Sequence, residues 1–158
     1  MNDNNLRIKP IDAAHIGELI QIGEVTNLSP WSSQGYLEEM KNPASIMLRL
    51  IDEENSIIGF VVGRLIVGGE IEARLDAEIY NIAVTEHNRR RGCGQRLFEE
   101  FLATCREKQV ANIWLEVRES NENAIKFYEK NGFERVRTRP SFYRNPRENA
   151  HVMRLNLE

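Results

Sequence analysis

The chain lacks the features that usually mark membrane-spanning and secreted proteins. Its longest apolar stretches, such as residues 57–62 (IIGFVV), fall far short of the roughly 20 residues that a membrane-spanning helix needs. Residues 1–12 (MNDNNLRIKPID) contain no apolar segment typical of a secretory signal. Both absences predict a cytoplasmic protein without a membrane partner. A length of 158 residues suits one domain with a full hydrophobic core, so we expect a single domain over residues 1–158.

Cysteine and histidine are too scarce and too scattered for a metal or redox site. The two cysteines, Cys93 and Cys105, are twelve positions apart, which excludes a CxxC pair. The three histidines, His15, His87 and His151, stand far apart and form no HExxH-type motif. We therefore expect no bound metal.

Basic residues are slightly outnumbered by acidic ones. The chain has 21 lysine and arginine residues against 24 acidic ones, for a net charge of −3. Its only dense basic cluster is the arginine triplet at 89–91, and no aromatic RNA-binding motif accompanies it. This balance argues against a nucleic-acid surface, and we expect no direct nucleic-acid partner. A monomer is the default expectation.

The sequence does contain an alternation of strand and helix patterns, without repeats or linkers. Apolar and β-branched runs predict strands, for example at residues 45–51, 56–67, 77–84 and 111–117. Apolar positions at helical spacing follow the capping residues Asp12 and Ser32 and the glycines at 92 and 94. The resulting order, β-α-α-β-β-β-α-β-α-β-β, predicts an α/β domain built on a mixed sheet.

A glycine loop between a predicted strand and a predicted helix is the strongest local signal. It reads RRRGCGQ at residues 89–95. Backbone N–H groups at a helix start, together with the helix dipole, attract anions, and arginines can add charge-assisted contacts. The loop is neither a P-loop, which needs GxxxxGK[ST], nor a Rossmann GxGxxG loop. It predicts an anion site of another kind, with a charged surface turn as the alternative.

Two segments together resemble a known family. Residues 81–97 (NIAVTEHNRRRGCGQRL) resemble the acetyl-CoA signature of the GNAT acetyltransferases, Q/R-x-x-G-x-G/A, and residues 114–133 (WLEVRESNENAIKFYEKNGF) resemble its second half. The segments LSPW, LEVRESN and AIKFYEKNGF, with the final ENAHVMRLNL, are similar to the bacterial RimI-type N-terminal acetyltransferases of ribosomal proteins. The resemblance implies a GNAT-like domain, with a mixed, mostly antiparallel sheet of about six or seven strands flanked by about four helices.

The same resemblance implies where acetyl-CoA binds. Its pyrophosphate would lie on the loop, and its pantetheine arm would pair with the strand before the loop as an added strand. A backbone N–H of that strand, from Val84, would polarise the thioester carbonyl. Asn121 matches a family asparagine that contacts the cofactor, although it is also suited to cap a helix. The implied cofactor-binding residues are Ile82, Ala83, Val84, Arg90, Arg91, Gly92, Cys93, Gly94, Gln95 and Asn121.

For catalysis, the resemblance implies one acid and leaves two candidates for the base. Tyr128 matches the tyrosine that protonates the leaving sulfur. Glu116, twelve residues before it, matches the RimI-type base, whereas Glu78 resembles the base of family members that act on histone lysines. A protein α-amine has a pKa near 8 and is partly neutral at pH 7, so it needs less help than lysine. This favours Glu116 and keeps Glu78 as the alternative.

The acceptor side is where the sequence departs from the family pattern. By resemblance, Trp31 and Tyr143 help to form a peptide slot, which Glu78 also borders. RimI-type proteins tend to carry two tyrosines where this chain has Phe142 and Tyr143, and the strand connection within residues 67–78 is longer than usual. The expected reaction is acetylation of an N-terminal α-amine, with alanine first, on a protein such as a ribosomal protein. The alternatives are a lysine or small-molecule acceptor, or a non-catalytic acyl-CoA-binding domain.

Overall fold

The computed structural model describes residues 5–25, 31–68 and 74–158, which form a seven-stranded sheet and four α-helices in the predicted order. None of the helices in these ranges is both long and apolar enough to cross a membrane. The elements are β1 (Arg7–Pro10), α1 (Ile16–Val25), α2 (Ser33–Lys41), β2 (Ser45–Ile51), β3 (Ile57–Gly68), β4 (Arg74–Val84), α3 (Cys93–Glu107), β5 (Asn112–Arg118), α4 (Glu122–Lys130), β6 (Glu134–Arg144) and β7 (Arg147–Asn156).

The sheet is mixed, with a single parallel contact. Its strand order is β1-β2-β3-β4-β5-β7-β6. All neighbouring strands are antiparallel except β4 and β5, which run parallel and are joined through α3, as a parallel crossover requires. The predicted fold class is confirmed.

Each face of the sheet has its own core. On the first face, α3 and α4 bury Leu97, Phe101 and Ile125 against the sheet. On the opposite face, α1 and α2 bury Leu19 and Tyr36. Burial of each such side chain contributes on the order of 2 kcal/mol to folding. These surfaces are called the α3–α4 face and the α1–α2 face below.

Local sequence signals set several helix ends. The Ser32 hydroxyl accepts a hydrogen bond of 3.1 Å from the Gly35 N–H at the start of α2, and the Asp12 carboxylate accepts one from Ala14 in the turn before α1. Such N-caps contribute about 1 kcal/mol each. Gly132 has a φ of +88° just past α4, the left-handed conformation that favours glycine. The two capping residues predicted from the sequence, Asp12 and Ser32, are confirmed.

The strands β4 and β5 are paired over only three positions and then diverge. Their register ends at Ile79 opposite Leu115. At the paired end, the buried Asp76 carboxylate of β4 accepts hydrogen bonds from β5, at 3.1 Å from the Asn112 N–H and at 2.8 Å from Trp114 Nε1. Asp76 therefore fastens one end of the pair, and the other end stays open.

A β-bulge in β4 lies where this divergence begins. Opposite the consecutive residues Val62 and Gly63 of β3, β4 places Asn81 and Ile79, which leaves Tyr80 as the extra residue. A bulge shifts the alternation of side chains along a strand. Tyr80 accordingly packs on the α1–α2 face, whereas Ile82, two positions further along, packs on the α3–α4 face.

Candidate active site

The divergence of β4 and β5 opens a cleft of about 740 Å³, a volume typical of small-molecule sites. Its walls come from β4, the glycine loop, the start of α3, the length of α4, the end of β5 and the β6–β7 hairpin. It brings together most of the residues predicted from the sequence. Those that line it are Ile82, Ala83, Val84, Arg90, Gly92, Gly94, Gln95, Glu116, Asn121, Tyr128 and Tyr143.

The glycine loop forms one end of the cleft. Gly92 has a φ of +76° and Arg90 a φ of +58°, which turns the backbone sharply before α3 begins at Cys93. A Cβ atom at Gly94 would meet only ordinary contacts, at 3.7 Å from Val84. Two predicted loop residues do not line the cleft. Arg91 is exposed, and the Cys93 side chain is buried in the core of the α3–α4 face.

Along the cleft, the edge of β4 has no neighbouring strand beyond Ile79 in the described residues. The Thr85 N–H donates to the Ile58 carbonyl, at 2.9 Å. In an antiparallel ladder this makes Val84 and Gly59 a non-hydrogen-bonded pair, so the Val84 N–H points away from β3 and towards the cleft. The open edge thus offers backbone donors and acceptors to a ligand.

Tyr128 forms part of the wall that α4 contributes. Only 7 % of its surface is exposed, and its ring packs edge-on against Phe127 and Phe133 with centroids 5.4 Å away. Burial, together with the nearby Tyr143 phenol, raises the pKa of Tyr128 well above its usual value of 10. The phenol therefore stays protonated at any physiological pH and acts as a hydrogen-bond donor.

The two candidate bases stand near each other on the α1–α2 face, but they differ in environment. Glu116 lines the cleft and forms an ion pair with Arg139 of β6. Glu78 does not line it and is half-buried on β4. Burial and the negative charge of Glu116 raise the pKa of Glu78, although Tyr80, Arg64 and Arg139 partly oppose the shift. Glu116 is thus the carboxylate that a ligand in the cleft would meet.

Trp31 belongs to an aromatic cluster beside the cleft. Its ring lies 5.5 Å from that of Tyr80, which lines the cleft, and 5.3 Å from that of Tyr36. Trp31 and Tyr80 thus form an aromatic wall beside the cleft. The preceding LSP residues, at 28–30, lie outside the described residues, as do residues 69–73 between β3 and β4. The expected long connection over residues 67–78 is shorter than predicted, because β3 extends to Gly68 and β4 begins at Arg74.

The β6–β7 hairpin closes the cleft on another side. The Arg118 guanidinium lies 4.1 Å from the centre of the Tyr143 ring, and Arg139 lies 4.3 Å from that of Phe142. Burial and the Glu116 charge raise the pKa of Tyr143, with Arg118 opposing. Phe142, one of the positions at which the sequence departs from the family pattern, is 39 % exposed and does not line the cleft.

Asn121 caps a helix and also lies at the cleft, so capping does not exclude the cofactor contact that the sequence offered as its alternative role. Its side chain accepts a hydrogen bond of 3.2 Å from the Ala124 N–H and so caps α4, while the residue also lines the cleft. Several lining residues were not named as site residues from the sequence, although all of them except Tyr80 lie within the two family-like segments, residues 81–97 and 114–133: Tyr80, Asn81, Arg89, Val117, Arg118, Asn123, Ala124, Phe127 and Lys130. In the described part of the chain, no cluster of three potential metal-ligating side chains occurs.

Comparison with known families decides the class of this protein. The profile of the Acetyltransferase (GNAT) family matches residues 17–133, about three quarters of the chain. The chain belongs to the GNAT acetyltransferase family. The matched region runs from α1 to the end of α4 and includes the glycine loop, both diverging strands and Tyr128.

Similar GNAT proteins share a narrower description. The ribosomal protein bS18-alanine N-acetyltransferase of Haemophilus influenzae is 36 % identical over 149 residues, which cover 92 % of this chain and 95 % of that protein. Its counterpart from Haemophilus ducreyi is 28 % identical over 153 residues, covering 95 % and 99 %.

Solved GNAT structures agree with this fold. The crystal structure of the ribosomal-protein-S18-alanine N-acetyltransferase from Escherichia coli matches with a TM-score of 0.83 at 25 % identity, covering 97 % of this chain and 94 % of that one. Ard1 from Thermoplasma volcanium matches with a TM-score of 0.85 at 27 % identity, covering 98 % and 99 %.

Proposed function

We propose that this protein transfers an acetyl group from acetyl-CoA to the N-terminal α-amine of a protein, with alanine as the first residue and a ribosomal protein as the acceptor. The observation that carries the proposal is the cleft itself, which brings the glycine loop, the open β4 edge, Glu116 and Tyr128 into one space. The relatives named for bS18-alanine acetylation supply the acceptor class. The enzyme is proposed as a monomeric cytoplasmic protein with one domain over residues 1–158, without direct nucleic-acid or membrane partners.

The shape and charge of the cleft suit acetyl-CoA. Arg89, Arg90 and Lys130 line the cleft close to Gly92, at the start of α3. Positive side chains and the N-terminus of a helix therefore lie together here, although the chain has a negative net charge. This end would hold the pyrophosphate. The open edge of β4 would pair with the amides of the pantetheine arm, as an added strand does. Cofactor contacts of Arg91, Cys93, Gln95 and Asn121 remain predictions from the sequence.

The reactive end lies between Glu116 and Tyr128. Glu116 would take the proton from the ammonium form of the α-amine, directly or through one water molecule. The Val84 N–H would donate to the thioester oxygen as negative charge develops there. Tyr128 would donate its hydroxyl proton towards the departing sulfur. Because the pKa of Tyr128 is raised and that of a thiol is near 8.5, full transfer to the thiolate is uphill, so we expect the phenol to stabilise the sulfur mainly by hydrogen bonding.

The acceptor class can be tested with a panel of peptides, acetyl-CoA and a measurement of released thiol. We expect turnover on peptides that begin with alanine and have a free N-terminus. Peptides beginning with serine, threonine or methionine would rank the preference. N-terminally blocked peptides with an internal lysine should remain unmodified. Turnover confined to the lysine peptides would contradict the proposal, and binding of acetyl-CoA without turnover on any peptide would indicate a small-molecule acceptor or a non-catalytic protein.

The choice between the two glutamates has its own test. Since roughly a tenth of an α-amine is already neutral at pH 7, a base can gain only about tenfold there. Glu116→Gln is therefore expected to lower kcat/KM about tenfold at pH 7 and much less at pH 9, where the amine is neutral without help. The matched variant Glu78→Gln should keep most of the activity. The reverse ranking in a pH series of kcat/KM would identify Glu78 as the base.

The Glu78→Gln variant also carries a stability signature that shows whether it is folded. The raised pKa of Glu78 means that ionisation of this carboxyl opposes folding. The contribution of Glu78 to the free energy of unfolding is therefore most favourable below about pH 4.5, where the carboxyl is protonated in both the folded and the unfolded protein. That contribution is lost as the pH rises through the raised pKa of the folded state. Removing the charge should raise Tm at pH 8 and leave it unchanged at pH 4. Thermal unfolding followed by circular dichroism measures both.

A further inference from the structure

The cleft contains one buried side-chain amide that keeps at least one hydrogen-bond donor unused. Asn81 lines the cleft and is only 4 % exposed, and its Nδ2 atom has no hydrogen-bond partner among residues 5–25, 31–68 and 74–158. Buried donors in folded proteins are nearly always paired, because an unpaired one loses its bonds to water without replacement. A bound ligand with an acceptor atom would satisfy this amide.

The position of Asn81 limits which ligand atom it can meet. It follows the bulge at Tyr80, and its side chain approaches the Tyr36 phenol on the α1–α2 face. This contact partly offsets burial, which raises the pKa of Tyr36 to about 12. A primary amide carries two N–H donors, so a donor remains available even if one turns towards Tyr36.

The face on which Asn81 lies is opposite the glycine loop. Residues that adjoin the loop, such as Val84 and Phe127, pack on the α3–α4 face, whereas Tyr80 and Trp31 pack with Tyr36 on the α1–α2 face. Acetyl-CoA held by the loop would therefore approach from one side of the sheet. The acceptor would approach from the other, where Asn81 lies.

We propose that the Asn81 amide donates a hydrogen bond to the backbone carbonyl of the first residue of the acceptor peptide. In an N-terminal residue this carbonyl is attached to the carbon that bears the reactive amine, so both can be held at once. In a lysine side chain, the carbon that bears the ε-amine carries no carbonyl group. Asn81 would thus select α-amines over ε-amines, which is a binding role that rests on the proposed function.

The test combines a change in the enzyme with a change in the substrate. Asn81→Leu keeps the approximate volume and removes the amide. A peptide whose first carbonyl is replaced by a thiocarbonyl, a weaker acceptor, alters the other partner. We expect Asn81→Leu to lower kcat/KM for the alanine peptide by about tenfold or more, mainly through KM. The thioamide should cost the wild type about fivefold and the variant less than about twofold.

Two controls separate this role from a structural one. Tyr36→Phe removes the phenol beside Asn81 but leaves the amide, and we expect its kcat/KM within about twofold of the wild-type value. The Kd for acetyl-CoA, measured by calorimetry, should be unchanged in Asn81→Leu. If that variant does not fold, Asn81→Ala takes its place, and the thioamide penalty on the wild-type enzyme needs no variant at all.

Several results would overturn the inference. They are wild-type kinetics in a folded Asn81→Leu variant, an equal thioamide penalty in both enzymes, no penalty in the wild type, or a parallel loss of acetyl-CoA affinity, which would place the bond on the cofactor. Each of these leaves the proposed acetylation intact. A wild-type enzyme that acetylates no peptide would instead overturn the proposed function, and this inference with it.

Discussion

Replacing Tyr128 with phenylalanine is expected to lower kcat by about 100-fold or more, the range found when one hydrogen-bond donor to a developing negative charge is removed. The change removes one oxygen from a ring held by Phe127 and Phe133, so the packing should survive. Because the raised pKa keeps the phenol protonated, the wild-type rate should show no loss from Tyr128 ionisation up to about pH 10. Steady-state kinetics over pH 6–10 measure both effects.

The matched control for this variant is Tyr36→Phe, which removes the hydroxyl of another buried tyrosine outside the cleft lining. Its kcat should stay close to the wild-type value. Acetyl-CoA affinity should be the same in all three proteins, since Tyr128 acts on the departing sulfur. If Tyr128→Phe retains full kcat with the same rate-limiting step, Tyr128 has only a packing role and the proton comes from solvent.

Replacing Gly94 with alanine is expected to move stability and cofactor binding in opposite directions. Gly94 lies in the first turn of α3, and an added Cβ would make only ordinary contacts with Val84 and Phe127. Alanine in a helix is more stable than glycine by about 0.5–1 kcal/mol, so Tm should rise by about 1–4 °C. The same methyl group would project into the space where the pyrophosphate of acetyl-CoA is proposed to bind. We expect the Kd for acetyl-CoA to rise roughly 10- to 100-fold, the effect of a steric overlap of a few kcal/mol.

Gly17→Ala provides the comparison, because Gly17 lies in α1 with open space around its Cα. It should raise Tm to a similar extent and leave the Kd for acetyl-CoA unchanged. Calorimetry and thermal unfolding on the same samples measure the two quantities. Unchanged affinity in Gly94→Ala would show that the ligand does not approach this turn, and the proposed pyrophosphate position would then be wrong.

The parts of the fold that could be predicted from the sequence depend on local signals. Ser32 and Gly132 act on their own helices through a hydroxyl cap and a left-handed φ, and both are visible within a few residues. The strand and helix order follows from periodicity in the same way. The glycine loop is local too, since it needs only a strand before it and a helix after it.

The unpredicted parts depend on contacts between distant segments. Nothing in the run of residues 79–84 shows that Tyr80 is the bulged residue, because the bulge is defined by β3 across the sheet. The sequence therefore predicts only an ordinary strand residue at Asn81, although Asn81 follows the bulge and lines the cleft. The exposure of Glu116 to the cleft and the partial burial of Glu78 likewise follow from tertiary packing.

The brief pairing of β4 and β5 implies a trade-off between stability and function. In the described residues, the direct hydrogen bonds between β4 and the β5 segment lie at one end of the strands: they are the three register positions, the Asp76 contacts and a 2.8 Å bond from the Ala111 N–H to the Leu75 carbonyl. Sequence changes that extended the pairing past Ile79 would satisfy more backbone groups and make the fold more stable, but they would also close the gap that a substrate must enter. The unpaired stretch of the sheet is therefore the part that the proposed reaction needs. A bound pantetheine chain would act there as the missing strand. Selection for activity in this family should keep that gap open even where a tighter sheet is one substitution away.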